Sequence, residues 1–163
     1  MKKFTILAIT LILVASILSA CQKQAALGET LLKITGDIGK KNSGETFILD
    51  QAAFDDKAVE LTMDDPWMGD GLKYKGILLK DLIEMVDPAD DAKVLSLIAT
   101  DGKAVDVAIE DAKKWDIMLV HWADGTLLDE KTGGPVKIAF PEDARGTYAD
   151  EQWMWWLVEV AVK

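Results

Sequence analysis

Past residue 30 the apolar residues come in short runs bounded by turn formers, the pattern of many short strands with a few short helices. Residues 32–35 form the first run, ended by Gly36, and Asn42-Ser43-Gly44 signals a turn before an extended stretch at 45–49. Asp50 is placed to cap a short helix over 50–54, because a carboxylate there can accept from the free N–H groups of the first turn. Residues 59–63 read as extended until Asp64-Asp65-Pro66 breaks the run, and 72–75 read as the next strand.

The clearest helix is Leu79–Val86, where Leu79, Leu82, Ile83 and Val86 repeat at i, i+3, i+4 and i+7 and Asp87-Pro88 stops the pattern. Val94–Ala99 and 105–109 flank Asp101-Gly102, a dipeptide suited to a tight hairpin. Val105, Val107 and Ile109 alternate with Asp106 and Ala108, so one face of that strand is wet. A helical turn at 110–114, a buried strand at 117–122 and a turn at Asp124-Gly125 follow. The last strands are expected at 135–140 and 153–160, where alternation sends Trp153 and Trp155 to one face and Trp156 to the other.

The N-terminus has a different pattern. Met1-Lys2-Lys3 precedes a largely apolar run over 4–20, which ends in Leu18-Ser19-Ala20-Cys21. A charged start, an apolar run and small residues at the cut describe a secretory signal. A cysteine directly after them describes a bacterial lipoprotein signal, in which the thiol is acylated before cleavage. The alternative is a membrane-spanning anchor with an incidental cysteine. That segment is only marginally long enough to span and carries Thr5, Thr10, Ser16 and Ser19. The expected organisation is a signal peptide over 1–20, a lipidated Cys21 with its tether over 21–30, and one domain over 31–163. Two or three acyl chains hold firmly, which places the domain outside the cytoplasmic membrane. Gln22 follows the cysteine rather than an inner-membrane-retaining Asp, so with two membranes the outer one is favoured.

Charge narrows the partners. Without Lys2 and Lys3 the mature chain has 16 basic and 28 acidic residues, a net −12. That argues against a nucleic-acid surface, which needs a basic face, and disfavours anionic headgroups beyond the anchor. Cys21 is the only cysteine, so once it is lipidated the domain has no thiol for a disulfide, a metal or a nucleophile.

Familiar catalytic signatures are scarce. Neither a dinucleotide fingerprint nor a phosphate-cradling loop occurs, and Gly39-Lys40-Lys41 lacks the required spacing. His121 is the sole histidine and sits between Val120 and Trp122, which reads as a strand histidine rather than as part of a triad. Asp64, Asp65 and Asp70 offer hard oxygen ligands for calcium but not at EF-hand spacing, so a solvated loop is the simpler reading. Among the six tryptophans, Trp67 lies in the same turn and is the least readily assigned to the core.

Several segments together resemble the small molybdopterin-binding domain of the sulfite oxidase superfamily. They include Asp65-Pro66-Trp67, the run from Tyr74 through Lys75-Gly76-Ile77-Leu78-Leu79 to Ile83, Ala99-Thr100-Asp101-Gly102, and Gly133-Gly134-Pro135-Val136-Lys137-Ile138. The resemblance implies an α+β, strand-rich, mixed-sheet and barrel-like domain. It also implies a molybdenum-ligating cysteine just after the third strand and basic residues for the pterin phosphate near the C-terminus. Here the first region reads Leu61-Thr62-Met63-Asp64-Asp65, without a thiol. The second carries Glu142, Asp143, Asp150 and Glu151 against one Arg145. The expectation is therefore a cofactor-free binding module with Trp67, Asp64, Asp65 and Asp70 as candidate ligand contacts and no metal. A molybdopterin oxidoreductase with a non-cysteine metal environment is the alternative, and a structural envelope lipoprotein is the third reading.

Overall fold

The computed structural model describes residues 27–163. Two five-stranded sheets build it. The first has the order β2-β1-β10-β5-β6 and comprises β1 (Thr30–Gly36), β2 (Phe47–Asp50), β5 (Val94–Ala99), β6 (Ala104–Ala108) and β10 (Leu157–Val162). It is mixed, because β1 runs parallel to β10 while the other pairs are antiparallel. The second sheet is antiparallel and comprises β3 (Val59–Asp65), β4 (Gly69–Leu78), β7 (Met118–Ala123), β8 (Thr126–Leu127) and β9 (Lys137–Ala139). Strand β7 is shared: β8 pairs with its end at Trp122 and Ala123, and β9 with Met118, Leu119 and Val120.

Among the described residues three short α-helices connect the strands. Helix α1 (Gln51–Lys57) begins where the sequence places it, with the Asp50 carboxylate accepting from Ala53 N at 2.9 Å and from Gly28 N at 2.7 Å. Helix α2 (Leu79–Val86) buries Leu79, Leu82, Ile83 and Val86, the four residues of its apolar stripe. Removing such a side chain from water contributes roughly 1.5–3 kcal/mol, so this stripe fixes the helix on the sheet. Helix α3 (Ile109–Lys114) buries Ile109 and Ala112. The core between the layers includes Leu32, Ile34, Leu95 and Leu97 of the first sheet and Tyr74, Ile77, Leu119 and Ile138 of the second.

Three segments differ from the sequence reading. Strand β4 begins at Gly69 rather than Leu72, because Asp65 and Gly69 pair across the turn and lengthen the hairpin. Strand β9 is confined to three residues; ahead of it Pro135 O is taken by His121 and Val136 O accepts from Leu157 N. The expected strand over 153–160 starts only at Leu157. Ahead of it a 3₁₀ turn at Asp150–Gln152 leads into an irregular stretch, and Trp156 has φ +56°, a left-handed conformation incompatible with a continuous strand. The three tryptophans therefore do not alternate. Trp153 is buried, Trp155 half-buried and Trp156 exposed.

Candidate functional site

Three segments meet at one end of the molecule: the turn between β3 and β4, the β5–β6 hairpin, and the irregular stretch leading into β10. Between them lies a cavity of about 320 Å³ walled by Trp67, Trp153, Trp155 and Trp156. Asp101 and Lys103 of the hairpin and Asp150 and Glu151 of the 3₁₀ turn complete it. Three of the four indole walls are locally anchored. Trp67 Nε1 donates to Asp150 O at 3.3 Å, bridging two of the segments. Trp156 Nε1 donates to Glu130 O at 2.7 Å. Gly133 underlies Trp155, for a Cβ there would stand 2.7 Å from the indole ring. Its φ of +91° also favours glycine.

Beneath the tryptophans lies a buried charge cluster. Lys137 and Asp65 have fully buried side chains and form an ion pair. Tyr74 OH donates to Asp65 Oδ2 at 2.6 Å, and Lys137 Nζ lies 3.2 Å from Tyr74 OH. The other Asp65 oxygen accepts from Trp67 N at 2.8 Å and Met68 N at 2.9 Å. Met68 Sδ is 3.4 Å from Lys137 Nζ. The ammonium also stands 5.1 Å from the ring centres of Tyr74 and Trp155 and 5.7 Å from Trp153, within cation–π range.

Burial pushes the Asp65 carboxyl up, but the hydrogen bonds from Lys137 and Tyr74, the lysine charge and the Trp67 N–H outweigh it. The group is held below the usual carboxylate range and stays ionised. Burial and the neighbouring carboxylate raise the Tyr74 hydroxyl, which remains a donor. The cluster is internally neutral, and Asp65 organises the turn that presents Trp67.

The candidate ligand contacts separate on this geometry. Trp67 lines the cavity and is 60 % exposed. Asp65 does not line it; the carboxylate faces the core, paired with Lys137. Asp64 accepts from Gly71 N at 2.7 Å and lines a different depression with Arg145, whose guanidinium donates to the Asp64 carbonyl. Asp70 is exposed and lines neither. The three carboxylates thus do not converge, and among the described residues no group of three or more His, Cys, Asp and Glu side chains is arranged to hold a metal. The solvated-loop reading holds for the exposed Asp64 and Asp70 but not for Asp65, which is buried and neutralised by Lys137. Cys21 lies outside the described residues.

His121 is buried, with Nδ1 2.5 Å from Pro135 O and Nε2 2.8 Å from Gln51 Oε1, and its ring packs on Phe54 and Trp122. It is a packing histidine between α1 and β7. The sequence reading missed Lys137, since a lysine inside a short apolar strand reads as an outward-facing residue. Asp101, Asp150 and Glu151 were legible only as turn or acidic-stretch residues.

The model of the oxidoreductase molybdopterin-binding domain family matches residues 51–162. The chain belongs to that family. The fold is similar to the crystal structure of the sulfane dehydrogenase SoxCD from Paracoccus pantotrophus, with a TM-score of 0.62. The match covers 85 % of this chain and 40 % of that one at 15 % identity, so it shows a common fold and the chain spans less than half of that protein's chain. A comparison with curated proteins finds no match.

Proposed function

We propose that this molybdopterin-binding-like domain works as a lipid-anchored, extracytoplasmic binding module that carries no molybdenum cofactor and takes its ligand in the tryptophan-walled cavity. The observation that carries this reading is the state of the cations. A pterin phosphate needs free positive charge, and Lys137 is already neutralised by Asp65 inside the core. Arg145 is engaged by the Asp64 carbonyl and lies 3.7 Å from Glu142. The cavity itself presents Asp101, Asp150 and Glu151 against Lys103.

Two buried donors, Arg145 Nε and Trp153 Nε1, have no hydrogen-bond partner among the described residues and would suit an acceptor. They do not offset three carboxylates. No thiol other than that of Cys21 exists in the chain to ligate molybdenum. The residues present do not fit the group.

The tether supports the location. Cys21 at the end of a lipoprotein signal stands nine residues ahead of β1, so the module sits close to the membrane that holds it. Metal and pterin analysis of the purified lipoprotein tests the reading. Substoichiometric molybdenum is expected, and a loaded cofactor would return the chain to the oxidoreductases.

A further inference from the structure

We infer that the tryptophan-walled cavity binds an organic ammonium ion, a cationic nitrogen carried on an apolar carbon frame. This rests on the binding-module reading above and adds the class of ligand.

The walls come first. Four of the chain's six tryptophans line one concavity, and two of them leave much of their surface in water: Trp67 is 60 % and Trp156 38 % exposed. Exposed indoles gathered at a concave site supply apolar area and negatively charged ring faces together, the combination that recognises alkylated ammonium groups. The volume of about 320 Å³ lies at the small end of the usual range for small-molecule sites.

The charge comes second. Asp101, Asp150 and Glu151 line the cavity with one cation, Lys103, which is 3.3 Å from Asp101. Among the described residues the side chains of Asp150 and Glu151 have no hydrogen-bond or ion-pair partner. Two unpaired carboxylates beside indole walls repel anions and attract cations. They do not form a metal cage, since no group of three suitable side chains converges among the described residues.

Lys137 supplies the third observation. Trp153 and Trp155 already stand within cation–π distance of its ammonium. Asp65 cancels that charge locally, so the buried lysine does not repel a second cation arriving from solvent.

A second cavity, of about 680 Å³, shares Asp101 and Trp156 with the first and adds Asp129 and Glu130. Asp129 is occupied by its own turn, accepting from Lys131 N and Thr132 N, whereas Glu130 has no side-chain partner among the described residues. The same chemistry can therefore come from a compact quaternary ammonium in the first cavity or from a linear polyamine reaching into both.

The test uses the full-length lipoprotein in detergent, checked for metal and titrated with choline, spermidine and 3,3-dimethylbutan-1-ol, the neutral isostere of choline. Tryptophan fluorescence and calorimetry report binding. Choline or spermidine should bind at least about tenfold more tightly than the neutral alcohol, and less tightly as salt rises. Asp150→Asn with Glu151→Gln should weaken the cation about tenfold while leaving the melting temperature unchanged. Preference for choline assigns the compact source and preference for spermidine the linear one; either supports the inference. Equal affinity for the alcohol overturns the cation assignment and leaves the binding module standing. Absence of binding by both cations to metal-free protein overturns this inference alone, whereas stoichiometric molybdenum overturns the reading beneath it.

Discussion

Lys137 and Asp65, 72 positions apart, form a fully buried ion pair that ties β9 to the turn between β3 and β4. Through the Lys137 ammonium, which lies near the Trp153 and Trp155 rings, and the Asp65 carboxylate, which accepts from Trp67 N, the pair links two sides of the tryptophan cavity. Breaking such a pair from one side leaves an uncompensated buried charge and typically costs about 3–5 kcal/mol. Lys137→Met should therefore destabilise the domain by that order in urea unfolding. Adding Asp65→Asn to Lys137→Met should recover part of the loss, because the asparagine keeps an acceptor for the Trp67 and Met68 N–H groups. A double variant no more stable than Lys137→Met would show that the pair's charge is not what the single change exposes.

The same carboxylate sets an acid limit. Its pKa lies below the ordinary 3.8 in the folded state. The unfolded chain therefore binds the proton first as pH falls, and folding stability declines with it. The contribution is complete above about 3.8 and disappears as pH falls through the depressed folded value. Melting temperatures recorded between neutrality and acid should fall more steeply below this point for the wild type than for Asp65→Asn. Parallel profiles would remove Asp65 from the account of acid sensitivity.

Trp67 and Trp153 line one cavity yet should behave differently. Trp153 is 4 % exposed and packs edge-on against Phe140, with ring centres 5.9 Å apart. Trp153→Ala should cost about 3–5 kcal/mol. Trp67→Ala removes a side chain that is mostly in water and should cost well under half of that while weakening ligand binding. Thermal melting of the two variants decides the point, and an equal collapse would make Trp67 a structural residue.

Much of this architecture is legible in the chain. The stripe of Leu79, Leu82, Ile83 and Val86 gives α2 with its observed bounds, and Asp101-Gly102 marks the β5–β6 turn that borders the cavity. Local signals suffice there, because periodicity and turn chemistry act within a few residues. They fail at 153–156, where a strand-like aromatic run is broken by the 3₁₀ turn and the left-handed Trp156. They fail also for Asp65 and Lys137, each of which has its meaning only through a partner distant in sequence. Trp67 was legible as an outlier, but the carboxylates beside it come from Asp101, Asp150 and Glu151 rather than from its own turn.

The proposed lipid anchor at Cys21 gives a separate prediction. Cys21→Ser should abolish labelling by radioactive palmitate and leave an unprocessed or mislocalised precursor, and globomycin should block maturation of the wild type. Normal maturation of Cys21→Ser would mean ordinary secretion instead.

The central claim is that a member of a molybdopterin-binding family has its buried lysine neutralised by Asp65 and works without the cofactor. The most direct measurement is the molybdenum content per chain of the purified protein, made in a host that makes the cofactor. The expected value is far below one per chain, with no pterin fluorescence released on oxidation and denaturation. About one molybdenum per chain, accompanied by pterin, would contradict the account and place the oxidoreductase reading first.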